Sequence, residues 1–156
     1  MTPAPRNQNI CVALDANILI TLLNMNRLDL LAGLKGYEFY VPDQVVEEVH
    51  RKVQRERLRE AIKAGWLKEI EVTDIAEMEI YAQYRHRFGK GESACLAVGR
   101  SRKWPVATDD RAVKREVEAA MGKANLLDSG VILEVAVKQG VLTGTELTYL
   151  RENYSF

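Results

Sequence analysis

The sequence predicts an α/β fold: a mainly parallel sheet covered on both faces by helices. Three observations carry that reading. Short apolar runs alternate with longer helical patterns along the chain. The runs Ile10-Cys11-Val12-Ala13-Leu14 and Pro105-Val106-Ala107-Thr108 are continuous rather than alternating in polarity, as strands buried on both faces are. Both runs end in acid where a helix begins, with Asp15 after the first and Asp109-Asp110 after the second.

Taken in order, the first strand leads into a helix over 16–25, apolar nearly all round and so expected to be deeply buried. A short helix over 28–34 stops at Gly36. Phe39-Tyr40-Val41 reads as the second strand. Pro42-Asp43 then starts a long charged helix that ends near Ala64, before Gly65, with Val45, Val46, Val49 and Val53 as its buried stripe. Residues 67–72 alternate apolar and charged, as a strand with one exposed face does. Asp74 caps a helix that runs to Tyr84. Gly89 to Gly91 breaks the chain, and a helix follows over 92–103. After the strand at 105–108, residues 111–121 are helical and stop at Gly122. A last short strand covers 124–127. Asp128 caps a helix that ends before Gly140, and Thr143 starts a final one.

With 156 residues, one domain with a sizeable core is the natural expectation, residues 10–156, preceded by a flexible polar tail over 1–9. The tail has no apolar stretch of the secretory kind. No run reaches the roughly 18 apolar residues of a membrane span, so no membrane partner is expected. Cys11 and Cys95 both fall in apolar segments and read as buried free thiols of a cytoplasmic protein. Lys plus Arg equals Asp plus Glu, at 22 each, so no global basic field argues for nucleic acid. The distribution is uneven, however. Residues 85–115 carry nine basic residues against three acids, and residues 66–84 carry five acids against one Lys. Acid rimmed by base suits a site that holds a metal and attracts a polyanion, and equally suits solvated helix faces.

Four acidic positions stand out. Asp15 follows the first strand and is also placed to cap the next helix; Asn17 stands where its amide can orient a carboxylate. Glu48 lies nearer the valine stripe than Glu47 does, so it points along the core edge while Glu47 faces water. Glu92 occupies the first turn of its helix and shares a face with Cys95, Leu96 and Gly99, small enough in part to bring the helix close to the sheet. Of Asp109 and Asp110, one caps the following helix and one faces the cleft, and periodicity does not decide which. In an open α/β sheet, ligands bind beyond the carboxyl ends of the strands. Carboxylates gathered there repel one another and call for a cation, and an all-oxygen set suits Mg²⁺ or Mn²⁺. Zinc is disfavoured, because His50 and His86 are the only histidines and the cysteines lack ligand spacing.

These segments resemble the PIN-domain ribonucleases. Asp15-Ala16-Asn17 is similar to the family's opening Asp-x-Asn motif, and Val45-Val46-Glu47-Glu48-Val49 to the segment bearing its Glu. Gly91-Glu92-Ser93-Ala94 resembles the third acidic motif, and Thr108-Asp109-Asp110 the fourth, commonly Thr-x-Asp. The ordered set spans roughly residues 10–140. The resemblance implies a three-layer α/β/α sandwich and a metal-dependent nuclease acting on RNA, with Mg²⁺ or Mn²⁺ as cofactor. It implies Asp15, Glu48, Glu92 and Asp110 as catalytic acids, with Asp109 also a candidate metal ligand, and Asn17 and Thr108 as supporting polar groups. Lys90, Arg111, Lys114 and Arg115 are candidates to steer the RNA backbone. Glu92 departs from the Asp frequent at that position. Small family members resemble the VapC toxins of toxin–antitoxin pairs, which implies a small antitoxin partner. The apolar segment from Val131 to Leu150 adds the expectation of a homodimer.

Three rival readings compete with this one. One is a PIN-fold module that binds nucleic acid or protein without cutting. A phosphatase of the haloacid-dehalogenase kind is weakened by Asn17, where such enzymes carry a second Asp. A dinucleotide-binding fold lacks a G-x-G-x-x-G after the first strand.

Overall fold

A computed structural model describes residues 9–156; the tail expected at 1–9 lies, all but Asn9, outside the described residues. Five strands form one sheet: β1 (Ile10–Leu14), β2 (Tyr37–Pro42), β3 (Lys68–Ile70), β4 (Val106–Ala107) and β5 (Leu126–Leu127). Their order is β3-β2-β1-β4-β5, and every pairing is parallel. Nine helices among the described residues cover both faces, giving the three-layer α/β/α sandwich. They are α1 (Ala16–Asn24), α2 (Leu30–Gly33), α3 (Asp43–Glu47), α4 (Lys52–Lys63), α5 (Ile75–Tyr84), α6 (Lys90–Arg102), α7 (Arg111–Met121), α8 (Ser129–Lys138) and α9 (Gly144–Asn153).

The pattern of burial follows the strand order. β1 is central, and Val12, Ala13 and Leu14 are wholly buried, which is why its sequence shows no alternation. β3 is an edge strand, and its Lys68 and Glu69 are exposed. The chain runs from β1 to β2 and β3 on one side, then returns to β4 and β5 on the other. The crevice at the carboxyl ends of β1 and β4 is therefore the topological switch point, where open α/β sheets bind ligands. Asp15 and the 108–110 segment stand at those two ends.

The long helix expected from residue 43 to 64 is two helices. α3 closes with tight turns, in which the Glu48 N–H donates to Val45 O (3.0 Å) and the Val49 N–H to Val46 O (3.2 Å). Three valines within five residues lose side-chain freedom in a helix and favour ending it there. The chain then restarts with Arg51 extended, and Val53, expected in the buried stripe, is 59% exposed. Leu58 and Ala61 form the buried face of α4 instead.

Helix α6 starts two residues earlier than expected, with Gly89 as its N-cap, so Gly91 lies inside its first turn rather than in a break. Along the helix every residue from Ser93 to Gly99 is buried. A Cβ at Gly99 would stand 2.6 Å from Val106 Cγ2, so the absence of a side chain lets α6 lie directly on β4. The C-terminal apolar segment mostly completes the core: Leu142 and Leu150 are buried, and Val137, Val141 and Leu147 pack against the core. Val131 and Tyr149 of the same segment remain exposed. Both cysteines are free; Cys95 is buried as expected, whereas Cys11 is only half-buried. No helix among the described residues is long and apolar enough to cross a membrane.

A candidate acidic site at the carboxyl end of the sheet

Asp15 leaves β1 and caps α1. It is 1% exposed. Its Oδ1 accepts from the Ala16 N–H (2.8 Å), and its Oδ2 accepts from the Thr108 hydroxyl (2.8 Å) and the Asn17 amide (3.3 Å). Among the described residues no Lys, Arg or His forms an ion pair with it. Burial pushes its pKa up to about 6; the bonds from Thr108 and Ala16 oppose this, and the charges of Glu92 and Glu48 add to it.

Glu48 reaches the site from the turn after α3. Its Oε1 accepts the Gly91 N–H at 2.8 Å. A Cβ on Gly91 would sit 2.6 Å from Glu48 Oε1 and 2.8 Å from Cδ, so only glycine there leaves room for the carboxylate. Glu92 lies one residue further along α6. Its Oε1 accepts the Gly89 N–H at 3.4 Å, closing the first turn as a capping box does. Its pKa is raised, first by burial, with the Gly89 bond acting against this and the charges of Asp110 and Glu48 acting with it. Glu48 and Glu92 are thus within electrostatic reach of Asp15 and of each other, and Asp110 is within reach of Glu92.

The adjacent acids Asp109 and Asp110 point in different directions. Asp110 caps α7, its Oδ1 accepting the Val113 N–H at 2.9 Å. Asp109 turns to α8, where Ser129 holds both its oxygens: the N–H donates to Oδ1 (2.9 Å) and the hydroxyl to Oδ2 (2.6 Å). Between them and β1 lies a polar framework. The Asp109 N–H donates to Asn17 Oδ1 (2.9 Å), the Asn17 amide to Thr108 Oγ1 (3.3 Å), and the Asp110 N–H to Thr108 Oγ1 (3.1 Å).

The donor set is all oxygen and uncompensated by cations, which fits a hard divalent ion. Among the described residues, no three acidic, His or Cys side chains stand close enough together to hold an ion jointly. Mg²⁺ does not need them to, since it keeps several of its own waters and takes one or two carboxylates. Around the site, Lys90, Arg111 and Arg115 are exposed. Lys114 is paired with Asp128 at 3.2 Å, so its charge is partly spent within the chain.

Two residues that shape the site do not stand out in the sequence. Gly91 reads as part of a chain break, whereas a glycine one residue before a candidate acid is a signal of close approach. Ser129, just after the Asp128 cap, carries no such local signal.

The comparisons agree with this architecture. A sequence model described as DUF3368, PIN domain, matches residues 11–150, and the chain belongs to the PIN domain family. Among solved structures, it is similar to PAE2754 from Pyrobaculum aerophilum, with 14% identity and a TM-score of 0.55 over 85% of this chain and 99% of that one. It is also similar to VapBC2 from Rickettsia felis, solved bound to a promoter DNA fragment, with 16% identity and a TM-score of 0.49 over 76% and 97%. FitAcB from Neisseria gonorrhoeae matches with 18% identity and a TM-score of 0.42 over 75% and 95%. No curated protein sequence matches the chain.

Proposed function

We propose that the protein is a Mg²⁺- or Mn²⁺-dependent ribonuclease whose acids are Asp15, Glu48, Glu92 and Asp110. The observation that carries this reading is Asp15, a buried carboxylate near other acids with no cation paired to it among the described residues. Such an arrangement is costly for the fold and serves a site that recruits positive charge. Asp15 and Glu48 would hold the ion, with Asp110 and Glu92 at its margin. Asp110 is the better fourth acid, because its charge acts on Glu92 while the Asp109 side chain turns to Ser129 of α8.

A divalent ion, when bound, supplies positive charge beside the scissile phosphate and makes water more acidic. Asn17 and Thr108 hold the Asp15 carboxylate in place. Glu48 is fixed by the Gly91 N–H, in a position that excludes any side chain from that corner. Lys90, Arg111 and Arg115 draw in the RNA backbone, and Lys114 contributes less because of Asp128. As in the toxin branch of the family, a small antitoxin would cover this site. Ile75 and Met78, exposed on α5, offer apolar surface for a homodimer or another protein.

A module that binds without cutting is the second reading, favoured by Glu92 being held back on the Gly89 N–H. Single-stranded RNA incubated with the wild-type protein and with Asp15→Asn, with and without Mg²⁺ or Mn²⁺, separates the two. Cleavage that needs the metal and vanishes in Asp15→Asn supports the nuclease. RNA binding without cleavage by the wild type supports the module.

A further inference from the structure

We infer that Ser129 is a positioning residue of this site, acting from the first turn of α8 through Asp109 on Asn17 and Asp110. The inference rests on the nuclease reading for its effect on activity and on geometry alone for its effect on structure.

Ser129 is 1% exposed and donates twice to one carboxylate, at 2.9 Å from its N–H and 2.6 Å from its hydroxyl. The second is in the short range of charge-assisted O–H···O⁻ bonds. This two-point grip fixes the Asp109 side chain, and with it the backbone of the 108–110 segment. Two of its N–H groups are then aimed at different targets. The Asp109 N–H donates to Asn17 Oδ1 and sets which way the Asn17 amide faces. That orientation turns the Nδ2 group toward Asp15 Oδ2 and Thr108 Oγ1. The Asp110 N–H donates to Thr108 Oγ1 and brings Asp110 to the N-cap of α7.

The Thr108 hydroxyl is fully used, with one proton given to Asp15 and two lone pairs taken by Asn17 and the Asp110 N–H. The chain Ser129–Asp109–Asn17–Asp15 therefore has no slack, and a loss at its far end is felt at Asp15. The base of α8 is anchored from a second side, because Asp128 caps it through the Val131 N–H and pairs with Lys114. Removing the Ser129 hydroxyl thus leaves the helix in place and loosens Asp109 alone. In this reading Asp109 is a clamp and not a ligand.

The test uses the full chain as wild type, Ser129→Ala, Ser129→Thr and Asp109→Ala, each checked for folding by thermal melting. In the metal-free protein, hydrogen exchange of the Asn17 side-chain amide is followed by NMR. The inference expects it to be slow in the wild type and in Ser129→Thr, and fast in Ser129→Ala and Asp109→Ala. RNA cleavage with Mn²⁺ should show kcat lowered about tenfold or more in Ser129→Ala with KM changed little, and restored by Ser129→Thr, as for groups that orient a metal site's ligands. Should Ser129→Ala fail to fold, Asp109→Ala, at a half-buried position, carries the same expectation. A folded Ser129→Ala protein with a slow Asn17 amide, or with unchanged kcat, overturns the inference even if its melting temperature drops. A wild type that never cleaves RNA rejects the nuclease reading, while the amide exchange still decides whether Ser129 holds Asn17.

Discussion

Asp15 and Glu77 are equally buried, each 1% exposed, yet they have opposite fates. Glu77 lies on α5 and receives Arg102 of α6, whose Nε donates to Oε2 (3.0 Å) and whose guanidinium donates again to Oε1 (2.9 Å). The Thr73 N–H adds a bond to Oε1 at 3.2 Å. Burial alone would push Glu77 up, but Arg102 and Thr73 outweigh it and hold the carboxyl below its ordinary value. Asp15 has bonds of similar number, all from uncharged groups, and stays raised at about 6. The difference is a cation. At Glu77 the chain supplies its own positive partner; at Asp15, among the described residues, it does not, which is what the proposed metal site would need.

The largest expected contrast is in activity. Asp15→Asn should reduce metal-dependent RNA cleavage to background, whereas Glu77→Gln should leave the activity of the folded protein intact. The second contrast is in stability and runs the other way. Taking the partner from a buried pair leaves an uncompensated charge, so Arg102→Met should cost about 3 kcal/mol by denaturant melting. Restored stability in the double variant Glu77→Leu with Arg102→Met would confirm the pairing.

Next comes pH. Asp15 has a folded-state pKa above its unfolded value, so the folded protein binds the extra proton between about pH 4 and 6. Its ionisation therefore destabilises the fold as pH rises through that window, with the full penalty present above it and relieved below it. Asp15→Asn should remove this slope and, without metal, stabilise the protein at pH 7 by on the order of 1 kcal/mol. A pair of melting curves against pH, wild type and variant, checks the sign. Gly91→Ala should act through Glu48: the new Cβ drives the carboxylate from its place, so cleavage falls markedly while stability changes little, because a flexible side-chain end can move. The smallest effects belong to the rim. Arg111→Ala and Arg115→Ala should each raise KM a fewfold and lower the salt dependence of RNA binding by about one ion, and Lys114→Ala less than either.

The same comparison shows what was legible in the sequence. The layer order, the buried central strand and Asp15 could be read because continuous apolar runs ending in acid are local signals. Glu77 could not: α5 exposes Ile75 and Met78 and buries a glutamate, against its own periodicity, because Arg102, distant in sequence, meets it. The uneven charge was read as a site rim or a solvated face. Part of it is neither, since Arg102 is spent on the buried Glu77. Glu48 was read correctly as pointing inward, but from a helix stripe that ends before it. Which of Asp109 and Asp110 caps α7 is out of reach of propensity, since Asp109 is drawn off by Ser129, 20 residues away.

One measurement bears most directly on the claim that Asp15 lacks a cation which a divalent ion supplies: the titration of its carboxyl carbon by NMR, with and without Mg²⁺. The account predicts a midpoint near pH 6 without metal, as its raised pKa requires, moving down when Mg²⁺ is present. A midpoint in the ordinary aspartate range that Mg²⁺ does not move would contradict it.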